Sequence, residues 1–127
     1  MKLNANVKIL IVDDFATMRK ILKNLLFQMG LKNVIEADDG TTALEVLAKE
    51  KVDLIISDWN MPKMTGIELL KAVRNDENLK SVKFIMVTAE SQKENVIEAI
   101  KLGVNQYVVK PFTPEVLREK LDKVLNG

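Results

Sequence analysis

The chain has 127 residues, 47% of them hydrophobic and 29% charged, with Lys+Arg 19 against Asp+Glu 18 for a net charge of +1. That length suits one domain over residues 1–127, and the charge balance argues against nonspecific nucleic-acid binding and against electrostatic attachment to anionic lipid. Cysteine and histidine are both absent. Their absence removes disulfides, thiolate and imidazole metal sites, Ser-His-Asp and Cys-His catalysis, and service as a phosphohistidine carrier. Any chemistry must therefore run on carboxylates, hydroxyls and lysines. No apolar run approaches the roughly 20 residues needed to span a bilayer. Residues 7–12 are too short, and too charged at Lys8, for a signal-peptide core, so a cytoplasmic location with no membrane contact is expected.

Lys-Ile-Leu-Ile-Val at residues 8–12 is a β-branched run closed by Asp13 and Asp14, and predicts the first strand. Met18, Ile21, Leu22, Leu25, Leu26 and Met29 recur at i, i+3, i+4, i+7, i+8 and i+11, the single apolar stripe of a helix. Gly30 stops it as a left-handed cap. A weaker strand at residues 34–37 ends in Asp38-Asp39-Gly40, and Ala43, Leu44, Leu47 and Ala48 share one face of a second helix. Leu54, Ile55 and Ile56 form a continuous apolar run, the pattern of a strand buried on both faces, and it ends abruptly at Asp58. A polar turn with Pro62 and Gly66 leads into a third helix carrying Leu69, Leu70 and Val73. Residues 84–87 predict the fourth strand, ending in Thr88, and Val96, Ile97 and Ile100 mark the apolar face of a fourth helix stopped by Gly103. The fifth strand, residues 107–109, ends in Lys110-Pro111. Thr113 then caps the last helix, with Pro114 in its first turn and Leu117, Leu121, Val124 and Leu125 as its buried stripe.

Strict βα alternation, five times over with short loops, predicts a doubly wound α/β domain with helices on both faces of a parallel sheet. The flavodoxin-like strand order 2-1-3-4-5 is expected by analogy with folds of this kind rather than from the residues. In such a sheet ligands bind beyond the carboxyl ends of the strands. Asp58 taken alone serves equally well to open an Asx-turn; the other strands decide between the two roles. Strand one ends in Asp13-Asp14, strand three in Asp58, strand four in Thr88 and strand five in Lys110, so the expected order gathers all five at one end.

Two carboxylates ~5 Å apart at an effective dielectric near 20 repel by roughly 3 kcal/mol. Three together push one toward protonation unless a cation sits among them, and an all-oxygen set of this hard type suits Mg²⁺, which keeps several waters and leaves room for a phosphate. Lys110 supplies a point charge for an anion, and the Thr88 hydroxyl can donate to an anionic oxygen. This is the equipment of phosphoryl transfer, where the work is positioning and charge neutralisation, and one carboxylate can act as the nucleophile. Gly30, Gly40, Gly66, Gly103 and Gly127 are too far apart for a Walker loop or a Gly-x-Gly-x-x-Gly turn. The loop after strand one is acidic where a flavin phosphate loop would need Ser, Thr and Gly.

Asp13-Asp14, Asp58, Thr88-Ala89 and Lys110-Pro111 together resemble the motif set of the receiver domain of bacterial two-component response regulators, over nearly the whole chain. Asp13-Asp14-Phe15 with Thr17-Met18-Arg19, Ser57-Asp58-Trp59-Asn60-Met61-Pro62, Val87-Thr88-Ala89-Glu90, and the run from Tyr107 to Thr113 are similar to the single-domain chemotaxis regulators of that family. The resemblance implies that Asp58 accepts phosphate from a chemotaxis histidine kinase. It implies that Asp14 and Asp58 ligate Mg²⁺ with the backbone carbonyl of Asn60, while Asp13 acts mostly through water. Lys110 would pair with the phosphoryl group, and Thr88 would move to bond it. A cis Lys110–Pro111 bond is implied, as is a Tyr107 that swings between exposed and buried rotamers. An output surface on the fourth helix, fifth strand and fifth helix (Ser91, Lys93, Val96, Tyr107, Phe112, Lys120, Lys123) would bind the flagellar motor switch protein. On this reading the protein is a monomer and catalyses its own phosphorylation and dephosphorylation without turning over an external substrate, with a phosphatase as a further partner. No DNA-binding domain is expected.

Two positions depart from the pattern. Thr65-Gly66 stands where many receivers have Asp-Gly, and Ser91 where chemotaxis relatives often have Ala. The competing readings are a single-domain receiver in another phosphorelay and a Mg²⁺-dependent phosphatase with an aspartyl nucleophile. The second expects Asp-x-Asp after the first strand, whereas this chain has adjacent acids and no inserted cap.

Overall fold

The computed structural model describes residues 6–126, so residues 1–5 and 127 of the expected domain lie outside the described residues. In chain order the elements are β1 (Ile9–Val12), α1 (Ala16–Gln28), β2 (Val34–Ala37), α2 (Gly40–Lys49), β3 (Leu54–Ser57), α3 (Gly66–Asn75), β4 (Lys83–Thr88), α4 (Lys93–Lys101), β5 (Gln106–Val109) and α5 (Pro114–Leu125). The strands form one parallel sheet in the order β2-β1-β3-β4-β5, the order expected.

Every residue of β1 and β3 is buried. Parallel neighbours on both sides and helices on both faces leave these strands no side for water, hence their uninterrupted apolar runs. The period of two then divides the core. Leu10, Val12, Ile55, Phe84 and Met86 face α2 and α3, packing on Ala43, Leu47, Leu69, Leu70 and Val73, with Ala99 of α4. Ile9, Ile11, Leu54, Ile56, Ile85, Val87 and Val108 face α1 and α5, against Leu22, Leu26, Leu117 and Leu121. Truncating one such side chain to alanine costs about 2–5 kcal/mol.

The helix ends follow their local chemistry. Asp39 and Thr42 form a capping box at α2, Thr65 and Glu68 another at α3, and Thr113 caps α5 ahead of Pro114. Gly30 and Gly103 take φ of +86° and +98° after α1 and α4, the left-handed stops expected of them.

Two apolar stripes are narrower than the periodicity predicts. Ile21 of α1 is 44% exposed, while Leu22 and Leu26 are buried. α1 shares its sheet face with α5; Met18, Leu25 and Met29 pack half-buried beside Leu22 and Leu26, and of the expected stripe Ile21 alone turns outward. In α4 the buried residue is Ala99, and Ile97 and Ile100 are 40% and 59% exposed. A small side chain lets the helix backbone approach the sheet. At about 100° per residue, Ile97 and Ile100 then point well away from that contact. Ala48 of α2 is likewise exposed.

At the end where β4 and β5 begin, Arg74 of α3 ties together the loops that lead into those two strands. It donates to the Gly103 carbonyl at 3.0 and 2.8 Å, to the carbonyls of Lys80 at 3.1 Å and Val82 at 2.6 Å, and to Asn105 Oδ1 at 3.0 Å. The same Oδ1 accepts the Phe84 N–H at 2.7 Å. Burial pulls the Arg74 guanidinium below its ordinary pKa, and the carbonyl oxygens stand in for the water it has lost.

Candidate metal centre and active site

Three polar residues sit one step past a strand end, and each is fixed by one further ladder-like backbone bond. The Asp13 N–H donates to Ala37 O at 3.1 Å, the Asp58 N–H to Val12 O at 3.0 Å, and the Lys110 N–H to Thr88 O at 2.8 Å. Asp58 thus lies just beyond β3 rather than within it. Because adjacent strands are in register, with Val12 opposite Ser57 and Thr88 opposite Val109, these extra bonds bring the side chains to one rim.

The carboxylates of Asp13, Asp14 and Asp58 each offer an oxygen, all within 4.8 Å of one another. Among the described residues this is the one group of three acids so close. Lys110 Nζ stands 3.2 Å from Asp13 Oδ2 and 3.2 Å from Asp58 Oδ2, and the Lys110–Pro111 bond is cis. Asp13 is 2% exposed. Burial pushes its carboxyl above the ordinary value and the Asp58 charge adds to this, against the Phe15 N–H and Lys110, which favour the charged form. Its other oxygen, Oδ1, accepts the Phe15 N–H at 2.9 Å. Asp58 Oδ1 accepts the Trp59 N–H at 2.6 Å, a contact to the next residue rather than an Asx-turn. Asp14 is exposed.

The donor set fits Mg²⁺. Three carboxylates against one lysine leave two negative charges uncompensated, the charge of one divalent ion. Octahedral Mg²⁺ at about 2.1 Å sets its ligand oxygens roughly 3–4 Å apart, so oxygens within 4.8 Å need only a small closure or a bridging water. Both oxygens of Asp13 already carry hydrogen bonds, whereas Asp14 faces solvent.

The loop after β3 is held from above. A Cβ at Gly66 would lie 2.0 Å from the Asp58 carbonyl oxygen and 3.0 Å from Trp59 Cα, and the Gly66 N–H donates to Trp59 O at 2.8 Å. Glycine is required here by close approach and not by φ. Thr65, the departure in the sequence pattern, holds the cap of α3 by accepting the Glu68 N–H at 3.3 Å. Asn60 is exposed in this loop.

Thr88 ends β4 fully buried, and its Oγ1 accepts the Glu90 N–H at 3.1 Å. The Glu90 carbonyl in turn accepts the Tyr107 hydroxyl at 2.6 Å. Burial, with Glu90 and Asp58 nearby, pushes the Tyr107 phenol up to about 12. The structure therefore gathers Asp13, Asp58 and Lys110 in direct contact with Asp14 beside them, and links Thr88 outward to Tyr107 through Glu90. Trp59 is half-buried against the α2–α3 side of the core.

Of the expected output residues, Ser91, Lys93 and Lys123 are exposed, and Val96, Tyr107, Phe112 and Lys120 are half-buried. Phe112 packs on the α1–α5 core, and Lys123 pairs with Glu119 at 3.3 Å. Ile97, Ile100, Val109 and Val116 are exposed on the same three elements, and sequence reasoning assigned none of them to that surface. Arg19 was also missed. It donates from Nη1 to the Asp13 carbonyl at 2.5 Å and from Nε to Glu36 Oε1 at 3.1 Å. The register pairing Ile11 with Glu36 is the feature that turns Glu36 toward α1. A cavity of about 430 Å³ at the opposite end of the sheet, lined by Leu47, Val52, Asp53, Leu79 and Val82 among others, lies far from this chemistry.

The sequence pattern of the response regulator receiver domain family matches residues 9–122. The chemotaxis protein CheY of Pseudomonas aeruginosa is 59% identical over 118 residues, covering 93% of this chain and 95% of that protein. Chemotaxis protein CheY-3 of Vibrio cholerae is 58% identical over 122 residues, covering 96% and 94%. Among solved structures, that of chemotaxis protein CheY4 of Vibrio cholerae superposes with a TM-score of 0.86 at 40% identity, covering 94% of this chain and 98% of that one.

Proposed function

This chain belongs to the response regulator receiver domain family, and from that premise we propose that it is a chemotaxis response regulator phosphorylated on Asp58. It is a response regulator rather than an enzyme turning over an external substrate. The observation that carries the reading is the contact of Lys110 with both Asp13 and Asp58 inside a three-carboxylate cluster.

Asp14, Asp58 and the Asn60 carbonyl would hold Mg²⁺, with Asp13 acting through water; when bound, the ion neutralises charge on the transferring phosphoryl oxygens. Asp58 attacks the phosphorus of a kinase phosphohistidine as the P–N bond breaks and a P–O bond forms. Lys110, free to leave the carboxylates it now bridges, pairs with the incoming anion. The Thr88 hydroxyl turns from accepting the Glu90 N–H to donating to a phosphoryl oxygen.

That turn carries the signal outward. Releasing the Glu90 N–H frees the loop after β4, and this loop's carbonyl positions the Tyr107 hydroxyl. The phosphorylated state is favoured by the contacts it alone allows, which is a population shift. Near-complete switching needs about 5.5 kcal/mol of differential stabilisation. The surface of α4, β5 and α5, with its exposed Ile97, Ile100, Val109 and Val116, would then meet the flagellar motor switch, and a phosphatase would end the signal. The protein would work in the cytoplasm as a monomer; among the described residues no helix is long and apolar enough to cross a membrane.

Trp59, the single tryptophan, adjoins Asp58 and reports on the site. Its emission should change when Mg²⁺ is added and again with beryllofluoride, a stand-in for the phosphoryl group, and acetyl phosphate should label the protein one to one. An Asp58→Asn variant that answered beryllofluoride as the parent does would sink the assignment.

A further inference from the structure

Resting on the Mg²⁺ reading above, we infer that Arg19 is a positioning residue for the metal centre, setting the direction of Asp14 through the backbone of Asp13. The Asp13 carbonyl and the Asp14 N–H belong to one planar peptide unit. Fixing that carbonyl fixes the plane from which the Asp14 side chain projects. Arg19 Nη1 holds the carbonyl at 2.5 Å, and Arg19 Nε is anchored on Glu36 Oε1 at 3.1 Å. Glu36 itself is steadied by Lys23 at 3.6 Å. The guanidinium therefore spans from α1 to the ends of β1 and β2.

Asp14 needs this more than its neighbours do. The Asp13 carboxylate is locked by the Phe15 N–H and Lys110, and Asp58 by Trp59 and Lys110, whereas Asp14 is exposed. α1 begins without a side-chain cap, its N-cap position being Phe15. The turn that carries Asp14 is thus held from within by the Phe15 N–H on Asp13 Oδ1 and from outside by Arg19, whose side chain fixes the Asp13 carbonyl.

The role can be separated from simple charge because the two predict opposite signs. Arg19 is a cation beside a cation site, so on electrostatics alone its removal would tighten Mg²⁺ binding. As a positioning residue its removal weakens binding, by roughly tenfold on the scale of other groups that orient metal ligands. The experiment is a Mg²⁺ titration followed by Trp59 emission on the parent, Arg19→Met and Arg19→Lys, with a urea midpoint for each. Arg19→Met is expected to bind roughly tenfold more weakly. Arg19→Lys keeps the charge but offers one donor nitrogen where Arg19 reaches Glu36 and the carbonyl from two, Nε and Nη1, so it is expected to weaken binding too; it carries the test if the Met variant does not fold. Mg²⁺ binding as tight as the parent's, or tighter, in either folded variant overturns the inference. A parent with no Mg²⁺ response removes the metal reading itself and this inference with it, an outcome distinct from a parent that binds and a variant that binds equally well.

Discussion

The two ends of the sheet treat charge in opposite ways. Where the strands begin, one arginine is answered by carbonyl oxygens and an amide oxygen until Arg74 has no visible need for water. Where they finish, three carboxylates crowd one lysine. The first arrangement is complete and holds the molecule together. The second is left two charges short, and a group within 5 Å of its like at an effective dielectric near 20 feels roughly 3 kcal/mol of repulsion. Stability and reactivity are thus assigned to different rims of the same five strands.

Substitutions should separate the two rims. The largest effect is expected from Gly66→Ala, where the new methyl meets the Asp58 carbonyl at 2.0 Å. A loss of about 3 kcal/mol or more by urea denaturation is expected, together with weakened Mg²⁺ binding. Gly40→Ala is the comparison: its methyl meets Met64 Cγ at 2.5 Å and Cβ at 2.8 Å, so it should destabilise the fold as well but leave the Asp58 backbone and Mg²⁺ binding in place. Arg74→Met comes next. It strands the Gly103 and Val82 carbonyls and should cost about 2–3 kcal/mol, yet leave the Mg²⁺ titration of Trp59 within a factor of two. A large change in Mg²⁺ affinity there would erase the contrast between the rims.

Asp13→Asn should act with the opposite sign, stabilising the metal-free protein at neutral pH by about 1 kcal/mol, first because a buried charge is removed and second because its repulsion with Asp58 is relieved, while impairing Mg²⁺ binding. Its pH dependence is specific. The folded-state pKa of Asp13 is raised, so the native protein holds a proton that the unfolded chain has released. Stability attributable to this group is full at low pH and falls as pH rises from the ordinary aspartate value through the raised one. The stability gap between parent and variant should open over that window and then stay constant; a gap that closed with rising pH would contradict it. The smallest effect is a displaced titration. Tyr107 is the single tyrosine, so ultraviolet absorbance reads it alone, and its midpoint is expected near 12, whereas a midpoint near 10 would put the phenol in water.

Much of this was legible in the residues, and the reasons differ by element. The central strands announced themselves because burial on both faces forces unbroken apolar runs, as at Leu54, Ile55 and Ile56. The rim was readable because the apolar runs of β1, β3 and β5 give way within two residues to an acid or to Lys110, although placing the strand ends side by side needed a strand order taken from analogous folds. The Thr113 and Gly30 boundaries followed from local capping chemistry. Helix faces were harder: periodicity places Ile21 and Ile100 on a stripe but cannot say how much of that stripe a neighbouring helix leaves for the sheet. The roles of Arg19 and Arg74 were unreadable for a further reason. Arg74 bonds mainly backbone carbonyls and Arg19 one carbonyl together with Glu36, all brought near by the fold, and no spacing in the sequence encodes a carbonyl.

The single small side chain by which α4 meets the sheet has a mechanical consequence. α3 is moored by Gly66, Ile67, Leu69, Leu70 and Val73, while α4 is moored by Ala99, whose methyl is worth under about 1 kcal/mol of burial. The first behaves as the stator and the second as the moving arm. Amide hydrogens of α4 should accordingly exchange with solvent through local opening well before those of α3. On this footing α4, and not α3, is the helix expected to shift when the end of β4 moves.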